Sequence, residues 1–191
     1  MRRLALTLVP ALLAAGPALA HLDPGEHGSF AAGFSHPVFG ADHIMAMVAV
    51  GLWAASLGGR AFWALPAGFV GAMAGGFVMA LGGVPLPLVE PMILASVLLL
   101  GLLIALAARL PLPAAVTIVA AMGLFHGHAH GAEIGSAGAL AYLAGFVVAT
   151  GVLHALGAAA GWALGRSGGA LLSRGAGLAV AIGGSALVMG G

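Results

Sequence analysis

From residue 38 onward the chain repeats one pattern: a long apolar run, then a short interruption rich in Gly, Pro or Arg. The apolar runs fall near 38–57, 61–81, 89–108, 113–130, 137–163 and 170–190. Each has the length a helix needs to cross roughly 30 Å of hydrocarbon. Between them lie Gly58-Gly59-Arg60, Gly82 to Pro87, Arg109 to Pro113, Gly131 to Gly138 and Gly165 to Gly169. These are breaker sequences, and none leaves room for an extramembrane domain. The pattern predicts an all-α, polytopic membrane protein, a bundle of six transmembrane helices over residues 21–191.

The first twenty residues follow a different pattern. Arg2 and Arg3 precede an apolar stretch from Leu4 to Ala15, and Ala18-Leu19-Ala20 offers a small-residue cleavage site. That is the order of a secretory signal peptide, residues 1–20. The competing reading is an uncleaved first membrane helix, which Pro10, Gly16 and Pro17 disfavour. Cleavage would make His21 the first residue, offering an amine and an imidazole to a metal. It would also take the formal charge from +1 to −1.

Composition narrows the function classes. Of 191 residues, 62% are hydrophobic and only 6% charged, with a mean hydropathy of +1.16. A soluble domain carries roughly 25% charged residues, so a soluble enzyme is excluded. Six basic residues, all Arg, make no nucleic-acid surface, so no nucleic-acid partner is expected. Without Cys there is no disulfide, thiolate metal site or thiol nucleophile. The 33 Gly fit closely packed helices, with Gly71-x3-Gly75 and Gly157-x3-Gly161-x3-Gly165 expected at contact faces.

Charge sets the orientation. With the mature N-terminus outside, Arg60, Arg109, Arg166 and Arg174 all fall on the cytoplasmic side, as the positive-inside rule requires. Trp53, Trp63 and Trp162 fall near the same boundary, where interfacial anchors belong. The acids Asp23, Glu26, Asp42, Glu90 and Glu133 fall at the outer end, with every His except His154. Imidazoles and carboxylates thus gather at one end of the bundle, outside the cytoplasm.

Two constellations carry chemistry. In His36-Pro37-Val38-Phe39-Gly40-Ala41-Asp42-His43, Pro37 suits a first helical turn, placing His36 at a helix entrance. His36 and His43 are seven residues apart, hence on one helical face. Asp42 points elsewhere unless the entrance is unwound. An Asp inside a membrane helix costs about 3 kcal/mol to insert and is a functional candidate by default. A structural Asp–His pair near the interface is the alternative.

The second constellation is Phe125-His126-Gly127-His128-Ala129-His130-Gly131-Ala132-Glu133. If helical, His126, His130 and Glu133 form one stripe, and His128 faces away as an outer relay. Gly127 and Gly131 allow the helix to break, and surface loop histidines are the competing reading. Imidazole with carboxylate suits borderline dications such as nickel, cobalt or zinc.

Other positions are weaker. Glu90-Pro91 begins the third span, where an acid and Pro also favour a helix start. Met45 and Met47 read as packing, as membrane Met usually does. Phe69 sits mid-membrane, as a path-lining residue or, more in keeping with its type, facing lipid. His154 lies deep in the fifth span, either an inner relay or a residue hydrogen-bonded between helices.

The motif His36-Pro37-x2-Gly40-x-Asp42-His43, with Phe125-His126-Gly127-x-Ala129-His130-Gly131-x-Glu133, resembles the HupE/UreJ family. Those membrane proteins are associated with hydrogenase and urease systems and regarded as nickel or cobalt permeases. The resemblance spans nearly the whole mature chain. It implies metal-path roles for His36, Asp42, His43, His130 and Glu133, with Glu90 as partner. The better-known nickel–cobalt permeases have His-x4-Asp-His, against His-x5-Asp-His here, so their helix geometry does not carry over.

The expectation is a secondary transporter importing a divalent metal ion, with that ion and the lipid bilayer as its partners. There is no nucleotide-binding motif, no resident cofactor is expected, and nickel or cobalt would be cargo. A link to hydrogenase or urease maturation follows from the resemblance. The alternatives are a membrane metalloenzyme, a metal-binding accessory protein without transport, and an exporter.

Overall fold

The computed structural model describes residues 29–134, 138–167 and 169–190; the signal-peptide reading, His21, Asp23 and Glu26 lie outside them. Among the described residues there are seven helices and no strand: α1 (Phe30–Phe39), α2 (Ala41–Leu57), α3 (Ala61–Leu81), α4 (Val89–Ala105), α5 (Leu112–Ile134), α6 (Ala139–Ser167) and α7 (Gly169–Gly190). Four of them (α3, α5, α6 and α7) are long and apolar enough to cross a membrane, and the pair α1–α2 adds a fifth span if counted as one. α4 is apolar but has 17 residues. The surface is that of a multi-pass membrane protein: Leu140, Leu171 and Met189 are each about four-fifths exposed.

Local chemistry explains the boundaries. The Ser29 hydroxyl caps α1 by accepting the Ala32 amide at 3.0 Å. At Gly40 the backbone leaves helical geometry for an extended one (φ −84°, ψ 116°), and α2 departs from α1 at 84°. His36 and Pro37 therefore belong to the last turns of α1, not to the start of the span that follows. The expected single span 38–57 is bent, because the chain reaches helical geometry twice. Gly58, with φ of 68°, ends α2 in a conformation that a side chain would disfavour.

Helices pair along seams of small residues. α3 lies against α5, α2 and α1 against α6, and α4 against α7. Along the α3–α5 seam a Cβ on Gly123, Gly127 or Gly131 would strike the backbone of Phe69, Met73 or Phe77. Gly127 and Gly131 thus serve close approach, and α5 runs unbroken through both. Gly157 and Gly161 meet α2, as expected of a contact face, whereas Gly165 faces open space. Gly71 and Gly75 also face open space; Gly68 and Gly76 make the α3 contacts instead. The seam runs one position away from the expected motif because the buried stripe Phe69, Met73 and Phe77 turns that face inward.

Two ends of the bundle differ in chemistry. Arg109, Arg166 and Arg174 line one cavity of about 370 Å³, and Arg60 and Arg109 share a neighbouring one. Trp63 and Trp162 stand exposed near this end, with Arg166 stacked 4.7 Å over the Trp162 ring. Trp53 is not the anchor the sequence suggested. It is fully buried and donates its indole N–H to the Ala108 carbonyl at 3.2 Å. Met45 packs its sulfur on Gly183 of α7, and Met47 is buried, both in packing roles.

Candidate metal centre

Three imidazoles meet, two from neighbouring helices and the third from a helix 87 residues beyond His43. The break at Gly40 folds α1 back on α2, bringing His36 from one arm and His43 from the other to the flank of α5, which supplies His130. One ring nitrogen from each lies within 4.8 Å of the others. The ring centroid of His36 is 4.2 Å from that of His130 and 5.5 Å from that of His43. His43 and His130 are buried and His36 is partly so. Around one ion with nitrogen bonds of about 2.1 Å, tetrahedral geometry separates the nitrogens by about 3.4 Å, within that spread.

Carboxylates stand behind the rings. His43 donates Nδ1–H to Asp42 Oδ1 at 2.8 Å, and His130 Nδ1 faces Glu133 Oε2 at 3.3 Å. The short Asp42 contact fixes the His43 tautomer, with its hydrogen on Nδ1 and the lone pair on Nε2. The Nε2 atoms of His43 and His130 then point at each other, 2.7 Å apart. That spacing is a hydrogen bond, in which His130 Nε2–H donates to the His43 Nε2 lone pair; a metal ion bound by both rings replaces that proton and parts the nitrogens to about 3.4 Å. The donor set, imidazole nitrogen backed by carboxylate, suits a borderline dication. Asp42 is about one-quarter exposed and Glu133 about three-fifths, so both acids lie toward the open side of the cluster.

The remaining candidates separate by position. His126 sits one turn deeper on α5, its ring 5.1 Å from that of His43. It donates Nδ1–H to the Met122 carbonyl at 2.9 Å, which leaves its Nε2 as a buried, unpartnered lone pair. His128 leaves the stripe, as its spacing predicts, but is buried and donates to the Val84 carbonyl at 2.8 Å in the α3–α4 connection. Glu90 is exposed in the first turn of α4, and no contact among the described residues joins it to the cluster. Phe69 does not face lipid. It is fully buried, with its ring 5.4 Å from His126 and 5.2 Å from His154.

Sequence reading passed over two aromatic walls. Phe146 lies edge-on to His130 at 4.9 Å, and Tyr142 is 6.5 Å from His36. Their signal was the four-residue spacing of Tyr142, Phe146, Thr150 and His154 along α6, every one of them buried.

Helices with an apolar outer surface, packed around a carboxylate-backed imidazole cluster, define a multi-pass membrane protein with a candidate cation site. The sequence matches the family described as HupE / UreJ protein over residues 9–187. It is 46% identical over 177 residues to Protein HupE of Rhizobium leguminosarum bv. viciae, covering 91% of this chain and 92% of that protein. The chain belongs to the HupE/UreJ family of membrane transport and accessory proteins, which are not enzymes. No solved structure matches it.

Proposed function

We propose that this protein imports a divalent transition-metal ion, nickel first and cobalt second, across the bacterial cytoplasmic membrane. The observation that carries the reading is the meeting of His36, His43 and His130, from three helices, in one buried cluster. The imidazoles replace part of the ion's hydration shell. Asp42 and Glu133 hold the rings in register and offset the ion's charge. His126, one turn deeper, offers the next lone pair. Glu90, exposed in the first turn of α4, is kept as a partner on the family resemblance alone.

Counting α1–α2 as one bent span and α4 as another gives six spans after removal of residues 1–20. The arginine end then faces the cytoplasm, and the cluster and the mature N-terminus face the periplasm. The product serves hydrogenase or urease maturation, as the family association suggests. The membrane potential is a sufficient drive. A +2 ion moving inward gains about 4.6 kcal/mol per 100 mV, more than three decades of accumulation.

The test is nickel uptake in a host lacking its own importer, with cobalt and zinc as competitors. Asp42→Ala and His130→Ala are expected to abolish uptake while the protein still inserts. Near-normal accumulation by both variants at trace external nickel defeats the site assignment. Saturable binding without flux selects the accessory-protein reading instead.

A further inference from the structure

The arginine end of the bundle carries chemistry that metal transport does not use. Arg109 from the α4–α5 connection, Arg166 of α6 and Arg174 of α7 line a single cavity of about 370 Å³. The positive-inside rule explains why arginines lie at this end, but not why three of them share one cavity. Arg174 donates Nε–H to the Ala105 carbonyl at 2.8 Å, which ties its fork to the end of α4 and leaves the terminal nitrogens for another partner. Arg166 is held by its stack on Trp162. Among the described residues no carboxylate offsets these cations. Asp42 and Glu133 pair with the imidazole cluster, and Glu90 lies at the opposite end of α4. A guanidinium keeps its charge at any ordinary pH, and its fork matches phosphate oxygens. A cavity lined by three of them is a place for a phosphate.

Beside it lies an apolar groove. A cavity of about 700 Å³ runs between α3 and α6, walled by Phe62, Trp63, Val70, Val147 and Trp162 with small residues between them. Trp162 borders both cavities, and Arg166 rests on its ring. Trp63 and Trp162 stand exposed at the groove mouth, as indoles do at the edge of the hydrocarbon. The groove follows α6 from Trp162 to Val147, roughly 22 Å of helix, which covers the depth of one leaflet, about 15 Å. Its one ionisable wall residue is His154, whose two ring nitrogens are buried without a partner among the described residues. His154 is therefore not hydrogen-bonded between helices, one of the two roles its sequence position suggested, and it offers a polar ligand nothing. Such a groove suits an acyl chain.

We propose that the two cavities form one binding site for an anionic phospholipid, with its phosphodiester on Arg109, Arg166 and Arg174, an acyl chain in the α3–α6 groove, and Trp162 at the joint. Charge selects the headgroup. Three cations without a described acid favour a net negative headgroup over a zwitterionic one, whose ammonium they repel. The site stands on the membrane fold and the arginine positions, whether or not the chain carries metal.

The probes are defined lipids. The full chain, delipidated in a maltoside detergent, is titrated with dioleoyl phosphatidylglycerol or dioleoyl phosphatidylcholine, and bound lipid is counted by native mass spectrometry. Phosphatidylglycerol is expected to bind about tenfold or more tightly than phosphatidylcholine. Arg166→Gln combined with Arg174→Gln is expected to cut that affinity about tenfold or more. Arg60→Gln removes a charge from the same end but outside this cavity, and is expected to change the affinity by less than about twofold. Should the double variant not elute as a single species, Arg109→Gln with Arg166→Gln replaces it under the same expectation. Gly151→Leu sends a side chain into open space within the groove, so it is expected to fold and to bind phosphatidylglycerol about tenfold more weakly. Equal binding of the two lipids, or equal losses from Arg60→Gln and the double variant, marks attraction to a basic face and overturns the proposal. Binding of inorganic phosphate without binding of phosphatidylglycerol shows a soluble-anion site and also overturns it. A change from dimer to monomer in Gly151→Leu puts a second copy of the chain in the groove, with the same consequence.

Discussion

At the scale of single residues, the centre is governed by which nitrogen of each ring holds its hydrogen. Asp42 commits the His43 hydrogen to Nδ1, so Nε2 can only accept. A proton and a metal ion compete for the place between His43 and His130. Ion capture is therefore expected to weaken as external pH falls, because protons compete for the same ring nitrogens. Binding at neutral pH should also release protons, which calorimetry in buffers of different ionisation enthalpy measures. Pairs of this kind were legible in the sequence as residue types, since few acids and histidines occur in so apolar a chain. Their division of labour was not. Sequence placed Asp42 and Glu133 among the ligands, whereas the geometry sets both behind the imidazoles they orient.

At the scale of elements, the α3–α5 seam and the α1–α2 bend hold the site. Gly127→Ala would drive a Cβ into the Met73 carbonyl and is expected to lower the melting temperature in detergent by several degrees. Gly75→Ala, which meets open space, is expected to leave it unchanged. At Gly40 the backbone angles are open to any residue, but a Cβ would approach His43 Nδ1 to 2.9 Å and Asp42 Oδ1 to 3.0 Å. Gly40→Ala should therefore fold and bind nickel about tenfold more weakly, as equilibrium dialysis would show.

Helix positions read well from apolar length: the third helix, Ala61–Leu81, matches its expected span residue for residue. The bend was legible only as a condition, that Asp42 could join His36 and His43 if the helix entrance were unwound; residue types around Gly40 do not give the 84° angle. Glycine spacing was equally ambiguous. Gly71-x3-Gly75 and Gly157-x3-Gly161 look alike in sequence, and only the neighbouring helix distinguishes them.

At the scale of the whole molecule, the chain is polarised. Four arginines border one end, and the outer cluster lies nearer the other. An ion crossing this axis carries two charges through most of the membrane field. Proteoliposomes poised with an inside-negative potassium diffusion potential should thus accumulate nickel about a hundredfold more for each 60 mV. Accumulation that follows an imposed pH gradient and ignores the potential would point to proton coupling. This polarity was fully legible in the sequence, because it needs only the order of charges along the chain. The aromatic walls Tyr142 and Phe146 were not, because which stripe of an apolar helix faces inward depends on its neighbours.

The right-angled elbow at Gly40 makes the spacing of two ligands a matter of leverage. His36 lies four residues up one arm, about 6 Å from the pivot, so a swing of about 10° displaces it by about 1 Å. Metal–nitrogen bonds tolerate only a few tenths of an ångström. A small flex at this one joint would be enough to spoil the spacing of the three ring nitrogens, even with the interlocked backbones of the third and fifth helices held still.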